Sequence, residues 1–207
     1  MSAFEAFRAA ACAAAVAFGL VFVSPADAQQ TPQHIRGTLT AFQDQSLTVK
    51  TARGTTETIG VTKDTGLFAV RAGDLSAVQP GRFVGITSIE RNGKRVAREV
   101  HVFAEPLRGL GEGHYPWDLV SEPNMMTNAN LAQVEQVGGD RVVTAKYKGG
   151  EQTISVPQDA TIVLFDKTTA DQMVPDSKVF VVAKKQADGK LVAAGVVVGA
   201  DGIRPPM

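Results

Sequence analysis

The chain has one cysteine, one tryptophan, two tyrosines and three histidines in 207 residues, and aromatic residues make up 6% of it. Its charge shows no excess of either sign, with 21 Lys+Arg against 21 Asp+Glu. Each scarcity excludes something. The cysteine, Cys12, lies in a leader-like N-terminal stretch, so a chain without that stretch forms no disulfide. A balanced charge gives no strong overall field for nucleic acid or anionic lipid. No apolar run beyond the leader reaches the roughly 20 residues of a membrane-crossing helix. No H-E-x-x-H, no G-x-S-x-G and no phosphate loop occurs; "GLGEG" is not followed by Lys-Ser/Thr. The expectation is therefore a protein that is not an enzyme and does not bind nucleic acid.

What is present first is an address. Arg8 opens a weakly positive start, Ala9 to Val23 is apolar, and "SPADA" places small residues at Ala26 and Ala28. That is the A-x-A spacing of a secretory signal, with cleavage expected after Ala28 and a periplasmic or secreted product with no transmembrane span. Removing residues 1–28 takes away Glu5, Arg8 and Asp27, which leaves 20 basic and 19 acidic residues.

The remainder repeats itself. With an offset of 95, Leu39 matches Val134, Leu47 matches Val142, Ile59 matches Ile154, Asp64 matches Asp159 and Pro80 matches Pro175. One inserted residue later, Gly93-Lys94 meets Gly189-Lys190 and Val100 meets Val196. Each copy shows period-two alternation, over "IRGTLTAF", "SLTVKT", "TTETIGV" and "KRVAREVHV" in the first, with Ile35, Leu39 and Ala41 on one face of its opening strand, while "RFVGITSI" is apolar on both faces. Asn92-Gly93 predicts a hairpin turn, as does Asp188-Gly189 at the same place in the second copy. In "DLSAVQPG" Asp74 caps a short helix whose Leu75 and Val78 plug a barrel end. The expected fold is mainly β: two tandem five-stranded OB-like β-barrels, each with one short helix between its third and fourth strands. The expected division is a signal peptide at 1–28, a first barrel at 29–103, an ordered insert at 104–129, a second barrel at 130–200 and a tail at 201–207.

The frame "RGTLTAF…SLTVKT…IGVTKDT…DLSAVQPGRFVGI…NGKRVAREV" resembles a family of exported bacterial barrel repeats known only as a domain of unknown function. The resemblance covers both copies; the second departs from it at Gln133 and Pro175-Asp176. It implies a fold and carries no catalytic residues with it. The insert segments "GEGHYPWD" and "MTNA" are similar to exported alphaproteobacterial relatives, some of which carry a metal-transport label.

The insert is where function is expected, because the barrels do not require it. "RGLGEGHYPWDL", residues 108–119, gathers Tyr115 and the lone tryptophan, Trp117, beside Arg108. These three are the candidate ligand or interdomain contacts. The insert carries Arg108 against Glu105, Glu112, Asp118 and Glu122, and the copy before it is net basic, so the insert should dock as a clasp across two barrels. Its partner would be an envelope protein or a small ligand. The sharper alternative is a metal-binding accessory protein. His101, Glu105, His114 and Asp118 offer nitrogen and oxygen donors that suit zinc, nickel or copper, though no cofactor at all is the simpler expectation. His34, ahead of the first strand, is expected to be solvated.

Overall fold

Alternation of apolar residues two apart builds the strands of the computed structural model, which describes residues 31–207. In the first copy these are β1 (Gln33–Gln43), β2 (Ser46–Thr51), β3 (Thr56–Gly60), β4 (Gly66–Ala72), β5 (Phe83–Arg91) and β6 (Lys94–Phe103). The insert contributes β7 (Gly113–Trp117). The second copy contributes β8 (Asn124–Val137), β9 (Asp140–Tyr147), β10 (Gly150–Val156), β11 (Thr161–Lys167), β12 (Lys178–Lys185) and β13 (Leu191–Gly199). The predicted signal segment and Cys12 lie outside the described residues. Among the described residues no helix is long and apolar enough to cross a membrane.

The protein is mainly β, and β5, β6, β10, β9 and β8 close into a five-stranded barrel. Its seam is a parallel contact in which Ile154 faces Arg95 and Ser155 faces Val96. The other half is joined by the equivalent pairings: β1 to β2, β2 to β3, β1 to β12, β12 to β13, and β13 back to β3 with Leu191 facing Ile59. The strands of one copy therefore do not close on themselves. Each ring takes three strands from one copy and two from the other, and all thirteen strands form one hydrogen-bonded sheet. This corrects the expectation of one tandem barrel per copy.

The exchange is made by two strands that alternation does not reveal. "GLFAVRA" and "TIVLFDK" are near-continuous apolar runs, the pattern of strands covered on both faces rather than one. They form β4 and β11, so each copy has six strands and not five. β4 pairs with β13 and with β11, and carries the chain out of one ring so that β5 and β6 land in the other. In the β4–β11 pair Val70 faces Phe165. These positions are equivalent at the offset of 95, so a pseudo-twofold axis passes between them.

The short helices are single 3-10 turns, Leu75–Ala77 and Ala170–Gln172, and each follows the fourth strand of its copy. Asp74 caps the first as expected, accepting from the Ser76 N–H at 2.7 Å, and Val78 is fully buried in the barrel core. Asn92 and Gly93 both have positive φ, as their hairpin requires. At Asp188-Gly189 only Gly189 does, and the Lys190 N–H bonds the Asp188 carboxylate instead. The face of β1 also changes. A bulge between Leu39 and Ala41 shifts the register, so Phe42 rather than Ala41 packs on the core.

Each ring has its own apolar core, one around Val84, Ile86, Val100 and Leu131, the other around Leu39, Leu47, Val49 and Val181. A third apolar cluster fills the space between them. It includes Val70, Phe103, Phe165, Phe180 and Val197, with Phe68 and Trp117 packed against it.

Candidate functional site

The third cluster is incomplete on one side, where it opens as a cleft of about 530 Å³. Six aromatic rings line it: Phe68, Phe103, Tyr115, Trp117, Phe165 and Phe180. They form two chains of touching rings. In one, Phe68 lies 5.2 Å from Phe165 and Phe165 lies 4.9 Å from Phe103. In the other, Tyr115 and Phe180 each lie 6.1 Å from Trp117. Met126, His101 and Asn128 belong to the same lining.

The insert builds the second wall as a strand rather than a loose linker. β7 runs antiparallel to β8, with Tyr115 facing Met126 and Trp117 facing Asn124. Asn124 is buried and closes the connecting turn. Its amide accepts from the Leu119 N–H at 3.2 Å and donates to the Val120 and Glu122 carbonyls. Trp117 then crosses to the other ring. Its indole lies 4.4 Å from the His34 ring on β1, and Phe180 is on β12. The neighbouring Asp118 accepts from Arg36 at 2.7 Å and contacts His34 Nδ1 at 2.8 Å. His34 is thus half-buried and partnered, not solvated. Of the basic residues near the β5–β6 hairpin, Arg91 alone meets an insert carboxylate, Glu122 at 3.0 Å.

Arg108 does not reach the cleft. It anchors the start of the insert, donating to the Glu105 carboxylate at 2.7 Å and to the Gly81 carbonyl at 2.9 Å, and it also bonds Asn130. The proposed metal donors are likewise engaged separately. Glu105 holds Arg108, whose hydrogen bond keeps its carboxyl below the usual range. His114 contacts Thr127 at 2.9 Å and stacks on Tyr147, and burial with the Arg95 charge lowers its pKa. Asp118 serves Arg36 and His34. His101 is 3% exposed and contacts the Pro206 carbonyl at 3.3 Å and Glu99 at 3.4 Å. Among the described residues no three His, Cys, Asp or Glu side chains come together in a metal-holding group.

Burial would raise the Asp118 pKa, but the hydrogen bonds and charges of Arg36 and His34 outweigh it and hold the carboxyl below its ordinary value. A lowered carboxyl pKa stabilises the fold above the unfolded value of about 3.9 and loses that contribution as pH falls through the folded value. The side chain is 54% exposed, so solvent screens the pair. Asp118→Asn should cost about 0.5–1 kcal/mol at pH 7, and less as the pH falls below the unfolded value. Urea unfolding of both proteins at pH 7 and at pH 2 checks this.

Sequence reasoning found Tyr115 and Trp117, named His101 only as a metal donor, and missed the rest of the cleft. One signal was available. The cleft phenylalanines stand where the other copy has something smaller: Phe68 against Val163, Phe165 against Val70, Phe180 against Gly85 and Phe103 against Gly199. Gly85 matters most. A Cβ there would lie 2.5 Å from Asn128 Oδ1 and 3.3 Å from His101 Nδ1, so its absence lets both polar groups stand on the cleft floor.

No family model, no curated protein and no solved structure matches this chain.

Proposed function

We propose that the chain is an exported, non-catalytic binding protein of the bacterial envelope, and that the cleft between its two strand-exchanged rings holds a small, largely apolar ligand. The observation that carries this reading is the cleft itself. Its volume lies within the roughly 300–1,000 Å³ of small-molecule sites, and such sites pair apolar walls with a few placed polar groups. Here the walls are aromatic and the polar groups are Asn128 and His101. Both Asn128 Oδ1 and Trp117 Nε1 are buried with no hydrogen-bond partner among the described residues. Buried polar atoms are normally satisfied, and a ligand's own donor and acceptor would satisfy these.

The insert supports the same reading. A clasp alone needs contact between the rings, which Trp117, His34 and Asp118 provide. It does not need Tyr115 and Met126 to line an open cleft. Export rests on the A-x-A pattern before residue 29.

Trp117 is the only tryptophan, so intrinsic emission reports on the cleft directly. Titration with N-phenyl-1-naphthylamine, a neutral apolar probe, is expected to quench that emission saturably at one probe per chain. Emission that does not saturate contradicts the reading.

A further inference from the structure

We propose that the ligand of the cleft is an apolar organic cation, an ammonium flanked by alkyl or aryl groups; this rests on the reading of the cleft as a ligand site. The first support is the charge of the lining. Among the described residues no lysine or arginine lines the cleft, and its acidic side chain is Asp64, at the exposed turn after β3. Asp64 makes no ion pair among the described residues.

The second support is the direction of Asn128. Its amide nitrogen donates to the Leu110 and Gly111 carbonyls at 3.3 and 3.1 Å and lies 3.1 Å from Tyr115 Oη. Those partners fix the amide, which leaves Oδ1 as an unpartnered acceptor on a side chain 8% exposed. Beyond it on the same sheet face, Glu99 is 1% exposed. One of its oxygens accepts from Thr87 at 2.6 Å and the other is unpartnered. Asn128 Oδ1 is thus the acceptor on the floor, with the Glu99 carboxylate buried behind the lining, and a donor or a positive charge answers them.

The third support is the walls. Aromatic faces carry the negative end of the ring quadrupole and attract cations, most strongly where water is excluded. One wall ring already does so on this chain: the Arg36 guanidinium sits 5.0 Å from the centroid of Phe180. Asp118 balances that arginine, so its charge does not oppose a cation in the cleft. A carboxylate or phosphate would meet ring faces and acceptors with no lysine or arginine to hold it, and the His101 imidazole is already engaged by the Pro206 carbonyl and Glu99. The unpartnered Trp117 N–H suits an uncharged oxygen on the same molecule.

The test uses calorimetry on the full chain at pH 8 with three benzyl-bearing probes: benzyltrimethylammonium, its neutral carbon isostere neopentylbenzene, and the anion 3-phenylpropionate. The cation is expected to bind at least about tenfold tighter than the neutral isostere, with the anion weakest. Asp64→Asn should cut the cation's advantage several-fold and leave the neutral affinity unchanged. Neutral binding as tight as the cation's overturns this proposal and leaves the ligand site standing. Failure of all three probes to bind overturns both.

Discussion

A fragment holding only the first copy, residues 31–103, will not fold as a monomer. The ring built on β1, β2 and β3 draws more than half of its buried core from the other copy, between Met173 and Val198. A buried aliphatic side chain contributes about 1.5–3 kcal/mol. Losing that set costs on the order of 10 kcal/mol, as much as the roughly 5–15 kcal/mol that holds a whole domain together. The fragment also leaves β1 without β12 and β3 without β13, which exposes two open strand edges. Circular dichroism should show no concentration-independent cooperative thermal transition for 31–103 alone. Mixing it with 104–207 should restore a cooperative transition. A self-paired dimer of 31–103 would also satisfy the pairings, because the pseudo-twofold axis then becomes a true one. A cooperative, monomeric transition for 31–103 contradicts the exchange and restores the tandem arrangement.

The second large effect is at Trp117. Large-to-small changes of buried aromatics cost about 3–5 kcal/mol, and a half-buried ring belongs at the lower end. Trp117→Ala should therefore lose about 3 kcal/mol, since it removes the contacts to His34 and Phe180 that join the insert to the other ring. Trp117→Phe should cost far less. It keeps a ring in place and removes a buried N–H that has no partner, which is itself unfavourable. His114→Ala should cost about 1 kcal/mol, the value of one ordinary hydrogen bond to Thr127. Denaturant unfolding at neutral pH ranks the three. An Ala variant at 117 no less stable than one at 114 refutes the clasp.

The sequence made the strands legible wherever one face met the core and the other met water. β2, with Leu47 and Val49 inward and Lys50 outward, is such a case. It hid β4 and β11 because covered strands lose the alternation that marks a strand. The repeat was legible from the third strand onward, but in the first two the offset of 95 fails, since Leu47 and Val143 face the equivalent Ile59 and Ile154 and the matching bulges follow Leu39 and Leu131; nor does a repeat say which copy's strands pair. Val84 and Val179 are equivalent, and either could face Leu131 or Leu39 in a closed ring. The choice is made by the path of β4, and a path between two rings leaves no periodicity behind. Trp117 and Tyr115 stood out by rarity. Phe68, Phe165 and Phe180 did not, since each looks like an ordinary core residue of its own strand. Only the exchange brings them to one cleft. The metal donors failed for a related reason: nearness in sequence placed His101 and His114 on different strands with different partners.

The proposed ligand site lies at the seam between the exchanged strands. The most direct measurement is calorimetric stoichiometry of N-phenyl-1-naphthylamine on the wild type and on Ala194→Phe. Ala194 is exposed and lines the cleft, so a phenyl group there fills the site without entering either ring core. One saturable site is expected on the wild type, none on Ala194→Phe, and the same melting temperature for both. Equal binding to the two proteins would place the ligand elsewhere and contradict the proposed site.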